Sequence, residues 1–368
     1  MANANLGNAK AAKNDEFYTQ FGDIEKEMNA YLDFDADVFR DKTVLLPCDD
    51  PEWSNFTKYF AQNFEKLGLR RLISTGYAPD SKPKELGLQL SLFEKESPKF
   101  DKKKARTNGR IFTLDRDRNS DKKINFDDIE WDYLKGDGDF RSNEVRALRD
   151  QADIIITNPP FSLFREFLAW IVEADKKFVI IGNMNAITYK EVFPLIMRDR
   201  MWLGASANGS DMVFAVPAGS EVKATDREKA ARLGYEGDFT RLGNSCWFTS
   251  LDHGKRHQPI TLMTKADNKK FSKHKDVMGV GYQKYDNYDA LEVPFTDAIP
   301  SDQKGVMGVP ISFLGKYNPE QFEIIGMSAN GLMPDDVLVP DREKYDRPYL
   351  GGKRMYVRLF IRHRMPGK

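Results

Sequence analysis

The tetrapeptide Asn158-Pro159-Pro160-Phe161 has residue types suited to holding a planar amine during group transfer. An asparagine side-chain oxygen and a proline carbonyl can together accept both hydrogens of an exocyclic amine, which directs the nitrogen lone pair towards an electrophile. The prolines stiffen the turn and remove two amide donors, and Phe161 offers a ring on which a base could stack. A Pro-Pro turn followed by a core phenylalanine is the simpler alternative.

The acidic pair Asp49-Asp50 follows the apolar run at residues 43–46. These carboxylates could receive an ammonium group, while the N-terminus of the following helix could receive a carboxylate. A capped turn, with Asp50 or Ser54 as the N-cap, explains the same residues. The sequence leaves these two interpretations open.

Asp139-Phe140 is a third segment with suitable chemistry, and it lies upstream of the tetrapeptide. A carboxylate can accept a hydrogen bond from the amine of adenine, and a phenylalanine ring can pack on the face of the base. Taken alone, the run Gly136-Asp137-Gly138-Asp139 is typical of a turn.

Short apolar runs and amphipathic segments alternate around these residues. They predict strands at 43–46, 71–74, 153–156 and 178–181, and helices at 23–32, 54–67 and 164–174. Strand-helix-strand units build parallel sheets, and ligands bind outside the carboxyl ends of the strands in such sheets. The pattern therefore predicts an α/β fold in which Asp49 and Asn158 follow the ends of buried strands.

Composition excludes several other classes of protein. The 56 basic residues balance 56 acidic ones, so net charge neither favours nor excludes a nucleic-acid partner. Cys48 and Cys246 are far apart without a Cys-x-x-Cys motif, which argues against structural zinc and a disulfide framework. Neither a signal-peptide pattern nor an apolar run near the ~20 residues that span a bilayer is present, so we expect a cytoplasmic protein.

Taken in chain order, these segments resemble the EcoRI family of adenine-specific DNA methyltransferases. The N-terminal run Asp15 to Gln20, with Phe17-Tyr18-Thr19 at its centre, is similar to a segment that closes over the cofactor in many adenine methyltransferases. The resemblance continues through Asp49-Asp50-Pro51, Ser54-Asn55-Phe56, Lys58-Tyr59-Phe60, Leu67-Gly68-Leu69, Gly138 to Ser142, Trp247-Phe248-Thr249 and Pro319 to Gly326. It covers most of the chain and is weakest at about 80–125.

The resemblance implies a seven-stranded Rossmann-like class I methyltransferase sheet, S-adenosylmethionine as the methyl donor, and transfer to the N6 amine of an adenine flipped out of duplex DNA. By position it implies that the target adenine is bound by Asn158, Pro159, Pro160 and Phe161. It implies that the cofactor is bound by Phe17, Tyr18, Thr19, Asp49, Asp50, Asp139 and Phe140. The acidic residue that usually holds the cofactor ribose has no clear counterpart in Ser74-Thr75-Gly76-Tyr77.

We expect residues 1–204 to form the catalytic domain, with a Lys-rich insertion at about 80–128, and residues 205–368 to form an appended α+β target-recognition region. The insertion is either a solvated excursion with a hairpin around 111–114 or a loop that contacts the DNA backbone. Candidate DNA contacts are Lys269, Lys270, Lys273, Arg354, Arg358 and Arg362. A solvated charged surface is the alternative for each cluster.

The expected mechanism needs neither a metal nor a covalent nucleophile, because a sulfonium methyl is already activated. A monomer is expected, with a possible cognate restriction endonuclease acting on the same site. Two other functions stay open. The acceptor could be cytosine N4 or a protein glutamine, since the Asn-Pro-Pro-aromatic loop suits any planar amine or amide; or the chain could be a catalytically idle, DNA-binding relative.

Overall fold

The computed structural model describes residues 17–50, 54–78, 97–206, 212–216, 222–339 and 347–366. The strands are β1 (Tyr18–Thr19), β2 (Thr43–Leu46), β3 (Arg71–Gly76), β4 (Arg110–Leu114), β5 (Glu130–Tyr133), β6 (Ile154–Thr157), β7 (Lys177–Asn183), β8 (Trp202–Leu203), β9 (Met212–Ala215), β10 (Phe239–Leu242), β11 (Ser245–Thr249), β12 (Ala290–Glu292), β13 (Val306–Val309), β14 (Phe322–Met327), β15 (Tyr349–Leu350), β16 (Lys353–Arg354) and β17 (Leu359–His363). The helices are α1 (Phe21–Phe34), α2 (Asn55–Gln62), α3 (Phe64–Leu67), α4 (Lys104–Thr107), α5 (Asn143–Gln151), α6 (Phe164–Glu173), α7 (Phe193–Met197), α8 (Ala224–Arg232) and α9 (Lys265–Phe271).

The chain forms two compact units, and the boundaries between them differ from the boundary that the sequence predicts. The first unit combines 1–184 with 206–252, and the second combines 185–205 with 253–368. The chain therefore passes between the units three times, whereas the predicted boundary lies once, at 204/205. The difference arises because β11 pairs with β7 over its whole length and so draws 245–249 into the first unit. Local periodicity does not report such a pairing between distant segments.

Seven strands of the first unit form its central sheet, in the order β5-β4-β3-β2-β6-β7-β11. The pairs β2–β3 and β6–β7 are parallel, as the two predicted strand-helix-strand units require, and the pair β2–β6, which joins these units, is parallel as well. Strands β4, β5 and β11 are antiparallel to their neighbours. The sheet is thus mixed, with a parallel centre whose strands are almost wholly buried. A mixed α/β fold of this kind fits a class I methyltransferase.

Two local predictions need correction. The helix predicted at 54–67 is broken at Asn63 into α2 and α3, although it ends at Gly68 as expected. The region predicted as an insertion contributes β4 to the central sheet, and Phe112 and Leu114 of this strand are buried. Only part of the region is therefore an insertion outside the sheet. Its residues 79–96, like Asp15, Glu16 and Pro51 of the family resemblance, lie outside the described residues.

A smaller sheet of the first unit joins the N-terminal segment to later parts of the chain. Strand β1 pairs antiparallel with β9, and β9 pairs antiparallel with β10. Phe214 of β9 is fully buried in the main hydrophobic cluster, and Phe17 packs against the same cluster. This pairing holds the backbone of residues 17–19 in place beside the central sheet.

The second unit has a four-stranded sheet in the order β12-β13-β17-β14, and β15 pairs with β16. Tyr285, Tyr288 and Phe360 pack together in its core. The Arg358 guanidinium and the Tyr285 hydroxyl both donate hydrogen bonds to the buried carboxylate of Glu292. Across the two units, no helix in the described parts of the chain has the length and apolar character to cross a membrane.

Candidate active site

The carboxyl ends of β2, β3 and β6 meet at one edge of the central sheet, beside the loop that follows β5, and a cavity opens there. Residues from five separate segments surround this cavity. They are Phe17, Tyr18, Thr19, Pro47, Cys48, Asp49, Asp50, Ser54, Phe56, Gly76, Tyr77, Gly138, Asp139, Phe140, Arg141, Asn158, Pro160 and Leu163. The position agrees with the general rule for ligand binding in open α/β sheets.

Asp49 ties three elements together beneath the cavity. Its Oδ1 accepts a hydrogen bond from the Ser54 hydroxyl and its Oδ2 accepts one from the Thr157 hydroxyl, both at 2.6 Å. Ser54 is in turn the N-cap of α2, because its oxygen accepts from the Phe56 amide. Burial raises the pKa of the Asp49 carboxyl to about 6, although the two hydroxyls oppose that shift. Of the two candidates for the N-cap, Ser54 is therefore the one that caps the helix. The carboxylates of Asp49 and Asp50 nevertheless border the cavity.

Asp50 lies above the end of β3. A Cβ atom built on Gly76 would be 2.8 Å from Oδ2 of Asp50, so the carboxylate occupies space that the glycine leaves open. The buried guanidinium of Arg110 in β4 is 3.7 Å from the same oxygen. Asp50 thus belongs to the loop after β2 but places its charge at the end of the neighbouring strand.

Asp139 and Phe140 are held from opposite sides. Arg141 Nε and Nη2 donate to the two oxygens of Asp139, at 2.9 and 2.6 Å, and hydrogen bonds from Arg141 lower the pKa of the Asp139 carboxyl. Phe140 is buried, and its ring makes edge contacts with Phe167 and Trp170 of α6. Both residues border the cavity, but Phe140 is also part of the packing between this loop and α6.

Asn158 has a defined side-chain orientation. Its Nδ2 donates to the backbone carbonyl of Phe17 at 2.7 Å, and only the amide nitrogen can make that bond because a carbonyl is an acceptor. Its Oδ1 is buried and has no hydrogen-bond partner among the residues that the structure describes. The carbonyl of Pro160 accepts a hydrogen bond from the Leu163 amide at 2.9 Å, so one of its two acceptor positions is already used. The arrangement pairs a fixed amide with an open acceptor.

Phe161 lies in a group of three aromatic rings. Its ring centroid is 5.5 Å from that of Phe17 and 6.4 Å from that of Phe214. Phe161 is partly buried against the main hydrophobic cluster, and neither it nor Pro159 borders the cavity. Its ring therefore supports the N-terminal segment from beside the cavity, and stacking of a base on it stays a prediction.

The structure brings the three predicted segments together with the tetrapeptide. Phe17, Tyr18, Thr19, Asp49, Asp50, Asp139 and Phe140 border the same cavity as Asn158 and Pro160. Sequence reasoning missed Tyr77 and Arg141, which also border it. Tyr77 directly follows the second parallel strand, and Arg141 comes two residues after Asp139; both positions were signals that could have identified them.

The six basic residues predicted to contact DNA all lie in the second unit and have different surroundings. Lys269 and Lys270 are exposed on α9, and Lys273 is exposed but paired with Asp297 at 2.6 Å. Arg354 is exposed in β16, whereas Arg362 lies in β17 and pairs with Glu323 at 2.8 Å. Arg354 and Arg362 lie in separate strands, and Arg358 lies between β16 and β17, with its guanidinium buried against Glu292.

Comparison with known proteins gives consistent matches over nearly the whole chain. A family model described as "Adenine-specific methyltransferase EcoRI" matches residues 5–364. The Type II methyltransferase M.EcoRI of Escherichia coli is 42% identical over 351 residues, which are 95% of this chain and 97% of that protein. The Type II methyltransferase M.MpnI of Mycoplasma pneumoniae is 35% identical over 363 residues, 97% of each chain. No solved structure gives a significant match.

A mixed α/β sheet with an Asn-Pro-Pro-Phe turn at the end of a central strand defines a methyltransferase of the amino-group class. The chain belongs to the EcoRI family of adenine-specific methyltransferases. It is a site-specific, adenine-specific Type II DNA methyltransferase of the kind found in restriction-modification systems. The idle-relative and cytosine alternatives are therefore not needed to account for the chain.

Proposed function

We propose that this cavity binds S-adenosylmethionine and that Asn158 presents the N6 amine of a flipped-out adenine to it. One observation carries the proposal: Oδ1 of Asn158 is a buried acceptor without a partner among the described residues, while Nδ2 is fixed by the Phe17 carbonyl. A buried polar atom without a partner costs about 1–3 kcal/mol. Such a cost is understandable if a substrate amine supplies the missing donor.

The residues around the cavity fit the proposed cofactor. Carboxylates of Asp49, Asp50 and Asp139 suit an ammonium, hydroxyl groups and an adenine amine, and the rings of Tyr77 and Phe140 suit the faces of a purine. At the cavity, Thr19 Oγ1 is also a buried polar atom without a hydrogen-bond partner among the described residues. When bound, S-adenosylmethionine would supply an activated methyl group. Phe17 and Tyr18 stay in the proposed cofactor-binding set because they border the same cavity.

The proposed role of Asn158 is to accept one hydrogen of the target amine while the Pro159 carbonyl accepts the other. Positive charge develops on the amine nitrogen during methyl transfer, and acceptors fixed in advance stabilise it. The hydrogen bond to Phe17 makes the orientation of the Asn158 oxygen depend on the N-terminal segment. Because Phe17 also packs on Phe161, the tetrapeptide and the N-terminal segment would act as one support for the base.

Reaching an adenine amine in duplex DNA requires base flipping, at a cost of a few kcal/mol. We infer that the second unit contains the target-recognition region and that Lys269, Lys270, Lys273 and Arg354 contribute phosphate contacts. Arg362 is a weaker candidate, since it is paired with Glu323, and Arg358 is left out because its guanidinium is buried against Glu292. A monomer acting beside a cognate endonuclease remains our proposal for the assembly.

The test compares Asn158→Ala with Asn108→Ala. Asn108 is a matched control because its Nδ2 also donates to a backbone carbonyl at 2.7 Å, that of Leu134, and it does not border the cavity. We expect Asn158→Ala to lower the single-turnover rate by at least about 10²-fold, with DNA affinity nearly unchanged, and Asn108→Ala to retain the rate. Mass spectrometry of nucleosides from treated plasmid would show N6-methyladenine with the wild type.

Each other outcome contradicts a defined part of the proposal. Equal loss of turnover and of DNA binding in Asn158→Ala would contradict the role assigned to Oδ1. Methylated cytosine in place of adenine would overturn the acceptor while keeping the chemistry of the site. Failure to bind S-adenosylhomocysteine in calorimetry would overturn the cofactor.

A further inference from the structure

Among the residues that the structure describes, those at the end of β3 carry no carboxylate, although nucleotide-binding α/β sheets usually supply one there. In such folds an acidic side chain after the second strand accepts hydrogen bonds from ribose hydroxyls. Here β3 ends at Gly76 and Tyr77 follows it, so neither residue can accept in that way as an anion. Within the described part of the chain, a carboxylate for a ribose bound above β3 would therefore come from another segment.

Asp50 brings a carboxylate to that place from the loop after β2. Its Oδ2 is 2.8 Å, and its Cβ 3.3 Å, from the position that a Cβ on residue 76 would take. Real Cβ atoms do not come as close as 2.8 Å to another heavy atom, so a larger residue at 76 would displace Asp50. Glycine at 76 and aspartate at 50 thus form a complementary pair, in which one residue leaves the space and the other fills it.

The other two carboxylates at the cavity are engaged in ways that suit different roles. Asp49 receives a hydroxyl hydrogen on each oxygen and lies in the interior. Asp139 is held by two close hydrogen bonds from Arg141. The buried guanidinium of Arg110 is 3.7 Å from Oδ2 of Asp50 and supplies positive charge beside that carboxylate.

We propose that Asp50 is the residue that binds the ribose hydroxyls of the cofactor, in place of an acidic residue after β3. A carboxylate has two oxygens and can accept from two neighbouring hydroxyls at once. The proposal rests on the proposed function, because it assumes that the cavity binds S-adenosylmethionine. It assigns to Asp50 a contact that neither the family resemblance nor the position of Asp50 along the chain provides.

Calorimetry with two ligands tests this assignment without any turnover. The wild type and variants are titrated with S-adenosylhomocysteine and with its 2′,3′-dideoxy analogue, which lacks both ribose hydroxyls. We expect the wild type to bind the parent ligand about 10- to 100-fold more tightly, as hydrogen bonds to a charged group suggest. Asp50→Ala should bind both ligands with nearly equal affinity, and Asp50→Asn should keep only part of the difference.

Three further variants guard against indirect effects. Gly76→Ala keeps the aspartate at position 50 but displaces its carboxylate, so it should also reduce the difference in affinity between the two ligands. Asp139→Ala should weaken both ligands and keep their ratio. Asp80→Ala removes the next acidic residue after Gly76 in the sequence and should keep both affinities.

The outcomes separate the inference from the function on which it rests. If Asp50→Ala keeps the wild-type ratio, or if Asp80→Ala abolishes it, the assignment of Asp50 is overturned. If the wild type binds both ligands equally, the inference is also overturned, but the cofactor proposal stands. If the wild type binds neither ligand, the proposed function itself fails.

Discussion

At the scale of single residues, the neighbouring carboxylates of Asp49 and Asp50 have different contacts. Asp49 accepts from Ser54 and Thr157, which connects the end of β2 to the N-terminus of α2 and to the end of β6. Asp50, the next residue, lies instead against Gly76 at the end of β3. Both carboxylates border the cavity, but Asp49 also connects the sheet to α2, whereas Asp50 reaches the end of the neighbouring strand.

The raised pKa of Asp49 predicts a pH-dependent contribution to stability. Its folded-state pKa of about 6 lies above the ordinary value of 3.8, so the folded protein binds the extra proton between these values. The contribution of this group to the free energy of unfolding is therefore highest at low pH, and it falls as the pH rises to about 6. Asparagine does not titrate, so this contribution is absent in Asp49→Asn. As pH rises over that range, the free energy of unfolding of the variant should therefore increase relative to that of the wild type, by at most about 1.4 kcal/mol per pH unit. Urea unfolding of both proteins between pH 4.5 and 7.5 measures the difference, and parallel stability curves would refute the prediction.

At the scale of elements, the loop after β5 approaches β3 and β4 so closely that only backbone fits between them. Gly138 has φ of +85°, and a Cβ there would be 2.8 Å from the carbonyl oxygen of Gly76. Gly109, at the start of β4, faces Gly138 from the other side. Asp139 directly follows Gly138 and borders the cavity, so we expect this close contact to hold Asp139 at the cavity's edge.

Gly138→Ala should therefore disturb both folding and ligand binding. The positive φ and the contact with a backbone oxygen predict a loss of about 1–3 kcal/mol of stability, and S-adenosylhomocysteine should bind at least tenfold more weakly. Gly136→Ala is the matched control, since a Cβ at that position meets nothing within 4 Å. Thermal unfolding and calorimetry of the two variants would give the comparison; equal behaviour would show that the close approach does not shape the cavity.

At the scale of the whole molecule, the cavity belongs to the first unit and the exposed lysines of α9 belong to the second. Exposed lysines that contact phosphates release counterions, which makes affinity for DNA fall with salt. Arg358 has the opposite character, because it is buried with Glu292 and supports the core of the second unit. Charge alone does not distinguish these two kinds of basic residue.

We expect the double variant Lys269→Ala, Lys270→Ala to bind DNA more weakly and with less dependence on salt. Loss of two phosphate contacts should reduce the slope of log K against log salt by about 1.8, with S-adenosylhomocysteine affinity unchanged. Lys284→Ala provides the control, since Lys284 is an exposed lysine of the same unit already paired with Asp289 at 3.0 Å. Fluorescence anisotropy across a salt series gives the slopes, and an unchanged slope in the double variant would remove α9 from the proposed DNA surface.

The amino-acid sequence by itself is sufficient for the central elements and for most of the site. Apolar runs predict β2, β3, β6 and β7, and the polar residues that follow β2 and β6 meet because parallel strands end at the same edge of a sheet. The family resemblance, carried by Phe17-Tyr18-Thr19 and Asn158-Pro159-Pro160-Phe161, is confirmed over 5–364. These features depend on local patterns, which the order of residues states directly.

Only the tertiary structure decides which partners the distant segments take. It brings β4 and β11 into the central sheet, buries Arg358 against Glu292, and directs Nδ2 of Asn158 to the Phe17 carbonyl, leaving Oδ1 open. It also places the Asp50 carboxylate at the end of β3, a strand to which Asp50 does not belong. The physical reason is that hydrogen bonds and packing between segments far apart in the chain leave no period or spacing in the local sequence.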